Sequence, residues 1–127
     1  MLMDDLSTYL VAQGIGTTIQ KGSLPESPDT CLAFRETGGF ASQHTMATKP
    51  AVIEEPTIQI LARAMAYDVA EALIRQVKAL FDGLSNQTIN SVQYHWITAL
   101  QPPFLLERDE NKRFILCFNV HIKRQTV

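Results

Sequence analysis

The sequence predicts an α+β fold: a single, mostly antiparallel sheet with one long helix packed on a face and a short N-terminal helix. Three observations predict it. Residues 67–84 place apolar side chains at helical spacing, several shorter segments alternate with the period of a strand, and Gly/Pro-rich turns separate them. With 127 residues the chain has room for one ordinary domain, spanning 1–127, and no second core.

The elements follow in order. Leu2, Leu6, Tyr9 and Leu10 recur at helical spacing, Asp4 and Asp5 sit where the N-terminal dipole favours anions, and Gly14 ends this short helix. Residues 17–20 read as a short β-rich stretch, and Gly22, Pro25 and Pro28 then mark a turn region. Residues 31–35 alternate as a strand that Gly38 and Gly39 stop. Residues 38–53 hold one charge, Lys49, and no period; Phe40 and Met46 stand among small polar residues. A loop of that length in a small domain is uncommon, so the segment reads either as a solvent loop or as an assembly segment ordered by a partner.

Residues 57–63 alternate as a strand, with Ile58, Ile60 and Ala62 on one face. Residues 67–84 form the clearest helix, its stripe made of Val69, Leu73, Val77, Leu80, Phe81 and Leu84, with Gly83 as a stop signal. Two further strands are expected at 91–100 and 114–123. The first places Val92, Tyr94, Trp96, Thr98 and Leu100 on one face. The second places Phe114, Leu116, Phe118, Val120 and Ile122 on one face, and the long helix should pack there. A charged turn at 107–113 joins hairpin arms.

Composition narrows the function classes. Hydrophobic residues at 46% and charged residues at 19% exclude wholesale disorder. No apolar run approaches the roughly 18 residues of a membrane span, and two acids among the first residues argue against a secretory signal. A net charge of −2 argues against a duplex-binding surface. Cys31 and Cys117 lack metal or redox spacing, so a reduced intracellular setting is the simplest reading. Residues 1–62 hold three Lys/Arg against seven Asp/Glu, whereas residues 63–127 hold eight against six. Such asymmetry suits head-to-tail contact between copies, or is uneven solvated surface.

Few residues suggest chemistry. No phosphate loop, zinc signature or nucleophile elbow is present. His95, His121 and Cys117 could approximate a metal set on one sheet face, but ordinary strand packing is the better reading. Asp109-Glu110 could be imagined as catalytic carboxylates; flanked by Arg108, Lys112 and Arg113, they read instead as a salt-bridged hairpin tip. The expectation is a protein that is not an enzyme and needs no metal or cofactor.

A resemblance adds to this reading. Glu55-Pro56-Thr57-Ile58-Gln59-Ile60, Tyr67 with Ala70, the run from Leu84 to Asn90, Ala99-Leu100-Gln101-Pro102-Pro103-Phe104, Arg108-Asp109-Glu110-Asn111 and Phe118-Asn119-Val120 together resemble the tailed-phage minor capsid proteins described as tail terminator-like. Upstream, the run from Gly22 to Asp29 and Glu36-Thr37-Gly38-Gly39 look similar to that family's N-terminal half, so nearly the whole chain is covered. The chain departs from the pattern where Ser91 and Lys112 replace a usual glycine and Glu107 a usual small residue.

The resemblance implies a virion structural protein at the tail–neck junction, assembled in the host cytoplasm. It would form a ring of copies of itself, usually six-fold, on the head-proximal end of a long tail tube. Its partners would be the tail-tube subunit and the head–tail connector or neck protein. DNA could pass through the lumen without sequence-specific recognition. The runner-up is a head-completion or neck adaptor on the portal side; a small intracellular ligand-binding domain or enzyme is more distant. Candidate contact residues are Phe40, His44, Met46, Arg108, Asp109, Glu110 and Arg113.

Overall fold

In the computed structural model, residues 2–26, 28–44 and 52–126 are described. Two helices, α1 (Leu2–Ala12) and α2 (Tyr67–Phe81), accompany strands β1 (Thr18–Lys21), β2 (Cys31–His44), β3 (Val52–Ala64), β4 (Leu84–Ile89), β5 (Val92–Ala99), β6 (Phe104–Arg108) and β7 (Phe114–Thr126). The fold is α+β, with the sheet dominant. No helix among the described residues is long and apolar enough to cross a membrane.

The sheet runs β1-β2-β3-β7-β5-β4, with β6 on β7 off this path. Every pairing is antiparallel except β1 on β2. β7 is the spine. One edge pairs with β3 along nearly its whole length, while the other is shared between β6 at residues 114–117 and β5 at residues 120–125.

The core lies between the helices and one sheet face. Ile58, Ile60, Ala62, Leu116, Phe118, Val120 and Ile122 alternate into it as expected, with Leu32, Phe34, Tyr94 and Ile97. α2 buries Ala70, Leu73, Ile74, Val77 and Phe81. The expected stripe is therefore rotated: Val69 is 50% exposed, and Ile74 takes the central place. The helix is also shorter than expected, because Asp82 leaves helical geometry and Gly83, at φ 80°, turns the chain into β4. α1 ends in a Schellman motif, with Gly14 N–H on Val11 O, Ile15 N–H on Leu10 O, and Gly14 at φ 95°. Tyr9 stacks on Phe81 at 5.9 Å between ring centroids, joining the two helices.

Several expectations need correction. The segment 38–53 is not one loop: 38–44 continue β2, and Val52 and Ile53 begin β3. Register shifts between Glu36 and Gly38, and between Phe40 and Gln43, erase the period-2 pattern that would have announced these strands. Met46 and Lys49 lie outside the described residues. Gly39 is required where it stands, since an added Cβ would lie 2.5 Å from Glu55 O.

In β5 a shift between Tyr94 and Trp96 moves the alternation by one residue. Ile97 therefore enters the core and Trp96 faces the other side, reversing the expected pattern beyond His95. Strands β4 and β6 escape the sequence reading because residues 85–88 and 104–108 are all exposed and show no alternation.

The irregularities fall beside one row of the sheet, Gln87–Tyr94–Arg124–Glu54. His95 is the extra residue of β5, Asn86 adopts φ 53° in β4, and the β2 shift between Phe40 and Gln43 lies at the same level. Bulges bend strands and raise the local twist, so the sheet curls along this line.

Candidate functional site

Two buried arginines organise the sheet face away from the helices. Arg63 donates from Nε to Asp29 O at 3.1 Å and from Nη2 to Pro28 O at 2.7 Å. Arg113 donates from Nη1 to Glu26 O at 2.6 Å and to Asp29 Oδ1 at 3.2 Å, and from Nε to Asp109 Oδ2 at 2.8 Å. Both are under 5% exposed. Together they clamp the turn region before β2 onto the sheet, over a small apolar cluster of Ala33, Leu61, Ile115 and Cys117.

Asp109 builds the β6–β7 turn. Its Oδ1 accepts from the N–H groups of Asn111 and Arg113, and Lys112 closes the turn at φ 63°. Burial alone would raise the Asp109 carboxyl, but the Arg113 N–H and guanidinium hold it below the usual carboxylate range. Arg108 is exposed, with its guanidinium 4.7 Å from the centre of the Phe114 ring, and Glu110 is exposed beside it. Of the expected contact residues, these three share one turn and Arg113 holds it from beneath. Phe40 and His44 lie on β2.

The histidines do not gather with Cys117. His95 Nε2 is 3.1 Å from Gln125 Oε1, His121 Nε2 is 3.5 Å from Glu55 Oε1, and Cys117 Sγ accepts from Gln59 Nε2 at 3.6 Å. Trp96 meets His121 edge-on at 4.6 Å. Among the described residues no group of His, Cys, Asp and Glu is placed to hold a metal ion. Burial pushes both the Cys31 and Cys117 thiols up, away from the thiolate form a nucleophile needs. An open groove on this face is lined by Thr37, Thr57, Gln59, Leu100, Gln101 and Asn119, none of them charged.

The features best suited to contact are exposed strands. Phe104, Leu105 and Leu106 of β6 are each more than 40% exposed, and among the described residues β6 pairs with β7 alone. Three consecutive exposed apolar side chains thus lie together on this sheet margin. β4 is the terminal strand and exposes Ser85, Asn86, Gln87 and Thr88.

A sequence model of the family described as bacteriophage tail terminator protein matches residues 9–126. The chain belongs to this family. The fold of this chain is also found in solved structures. One, from the virion of a native gene transfer agent particle, is 12% identical with a TM-score of 0.63, covering 98% of this chain and 95% of that one. A second solved chain is 13% identical with a TM-score of 0.58, covering 99% of this chain and 92% of its own. No curated protein matches by sequence.

As a tail terminator family member, the protein has a structural role in the phage tail. The strands that sequence reasoning missed are β4 and β6. Their only sequence signals were a polar run without charge and the apolar triplet Phe104-Leu105-Leu106.

Proposed function

We propose that this protein assembles as a ring, six-fold by the habit of the family, that caps the head-proximal end of a long phage tail tube. The ring ends tube growth and offers the surface to which the head connector joins. Membership of the tail terminator family over residues 9–126 is the observation that carries this reading. The exposed margins of the sheet support it, because a ring subunit must meet two neighbours and two axial partners through different patches.

The contact residues we propose are Phe40 and His44 on β2, Met46 outside the described residues, and Arg108, Asp109 and Glu110 at the β6–β7 turn supported by Arg113. The apolar β6 strand beside that turn suits the tail-tube subunit or the neck protein. The protein acts in the virion at the tail–neck junction, without catalysis, metal or nucleotide, and DNA passes through the ring lumen. The test is the solution mass of the purified protein alone and mixed with its tail-tube subunit. A ring that binds the tube subunit supports a terminator. A ring that binds only the portal side would make it a neck adaptor.

A further inference from the structure

We infer that neighbouring copies join by strand addition, the outer edge of β4 in one copy pairing in parallel with the outer edge of β2, residues 39–44, in the next. This rests on the ring reading above and names its lateral joint.

Both edges are open among the described residues of the single chain. β1 covers β2 only at Cys31, Leu32, Ala33 and Phe34, so the edge of β2 beyond Phe34 has no partner strand among the described residues. Among the described residues β4 pairs with β5 alone.

The edges differ in how they are guarded. Proteins block free edges with charge, proline, shortness or bulges. β1 is four residues long and carries Lys21, and β6 carries Glu107, Arg108 and a register shift. β4 has six residues with no charge and no proline, four of them exposed; its irregularity is Asn86 at φ 53°, and the facing stretch of β2 has its own register shift between Phe40 and Gln43. An edge with neither charge nor proline leaves room for a strand to cover it.

Register then chooses the occupant. Thr88 pairs with Gln93, Gln93 with Gln125, Gln125 with Ile53, and Ile53 with Gln43, so Thr88 and Gln43 occupy one row on opposite margins. At the other end Leu84 pairs with Ile97, and one step beyond, Thr98, His121, Thr57 and Gly38 form a row. The open stretch of β4 is therefore level with residues 39–43 of β2.

Each successive pairing between β2 and β4 is antiparallel and there are four, so the two edge strands run in the same direction. A rotation about an axis along the strands keeps that direction and adds no rise. Copies joined edge to edge at one level thus close into a ring instead of climbing into a filament. The joint is parallel, as β1 on β2 already is.

The experiment is amide exchange by residue on the free monomer and on the assembled ring. Assembly should slow exchange at least tenfold in both β4 and residues 39–44, while β1 stays unchanged. In a two-residue hairpin the residues flanking the turn exchange hydrogen bonds, so the Thr88 N–H faces outward. Thr88→Pro should leave a folded monomer and abolish rings. Gln87→Lys, a milder edge block, should weaken assembly at least tenfold if the proline variant fails to fold.

Rings from either folded variant at wild-type concentrations would overturn the joint while leaving the ring reading standing. So would protection confined to β6, or protection of β4 that appears only when tube subunit is added. A wild-type chain that stays monomeric in every mixture would remove the ring reading, and the joint with it.

Discussion

The Tyr94 hydroxyl donates to Asp5 Oδ2 at 2.6 Å, across 89 residues of chain, and both side chains are about 1% exposed. Asp5 Oδ1 accepts from Asn90 Nδ2 at 2.8 Å. One buried carboxylate in the first turns of α1 thus fastens that helix to the β4–β5 hairpin. Tyr94→Phe should lower unfolding free energy by about 1–3 kcal/mol, because the carboxylate loses a partner it cannot replace with water. Urea unfolding reads this directly.

Burial and the Asp5 carboxylate raise the Tyr94 phenol far above its ordinary value. The sign follows. Below pH about 10 neither folded nor unfolded phenol ionises; above it only the unfolded one does, so stability falls by about 1.4 kcal/mol per pH unit. Phenolate absorbance of the folded protein at pH 11 should be the same in wild type and Tyr94→Phe. A smaller signal in the variant would show that Tyr94 ionises normally.

Asp109→Ala removes the acceptor for two backbone N–H groups and for Arg113 Nε. It should lower the melting temperature at pH 7 and speed amide exchange in the β6–β7 turn. The Asp109 carboxyl is held below its ordinary range, so its stabilisation is present above about pH 4 and is lost as pH falls through the folded value. The gap between wild type and variant should accordingly close in acid. A constant gap would mean that the loss is one of packing.

Two turns carry left-handed backbone without glycine. Asn90 and Ser91 sit at φ 50° and 67° between β4 and β5, and Lys112 at φ 63° between β6 and β7. Ser91→Gly and Lys112→Gly should each raise stability by about 1 kcal/mol, since the L side chain is strained in this region. A fall in either melting temperature would show that the side chain supplies a compensating contact.

Ile74 is fully buried on the face of α2 that meets the sheet. Ile74→Ala should cost about 2–5 kcal/mol, and Val69→Ala much less, because Val69 is half exposed. Equal effects would place the helix in the wrong rotation.

Much of this architecture was legible because one face is buried. Residues 57–63 and 114–123 alternate cleanly, so their strands and the core face could be read directly. The reading broke where bulges shift the period, as at His95, and where the strand faces solvent on both sides, as in β4 and β6. The strand expected at 57–63 begins earlier, at Val52, and holds Pro56 at a level where the β3–β7 register has a gap. Among the proposed contact residues, the charged turn at 108–110 could be read as a turn from its residues alone. Arg63 and Arg113 could not be recognised as clamps, because each reaches backbone carbonyls of a distant loop.

The most direct measurement follows tube growth. Purified tail-tube subunit is polymerised with increasing amounts of this protein, and tube lengths and ends are recorded by electron microscopy. A terminator should shorten the tubes in a dose-dependent way and place a ring on one end only. Tubes of unchanged length with bare ends would contradict the proposed function.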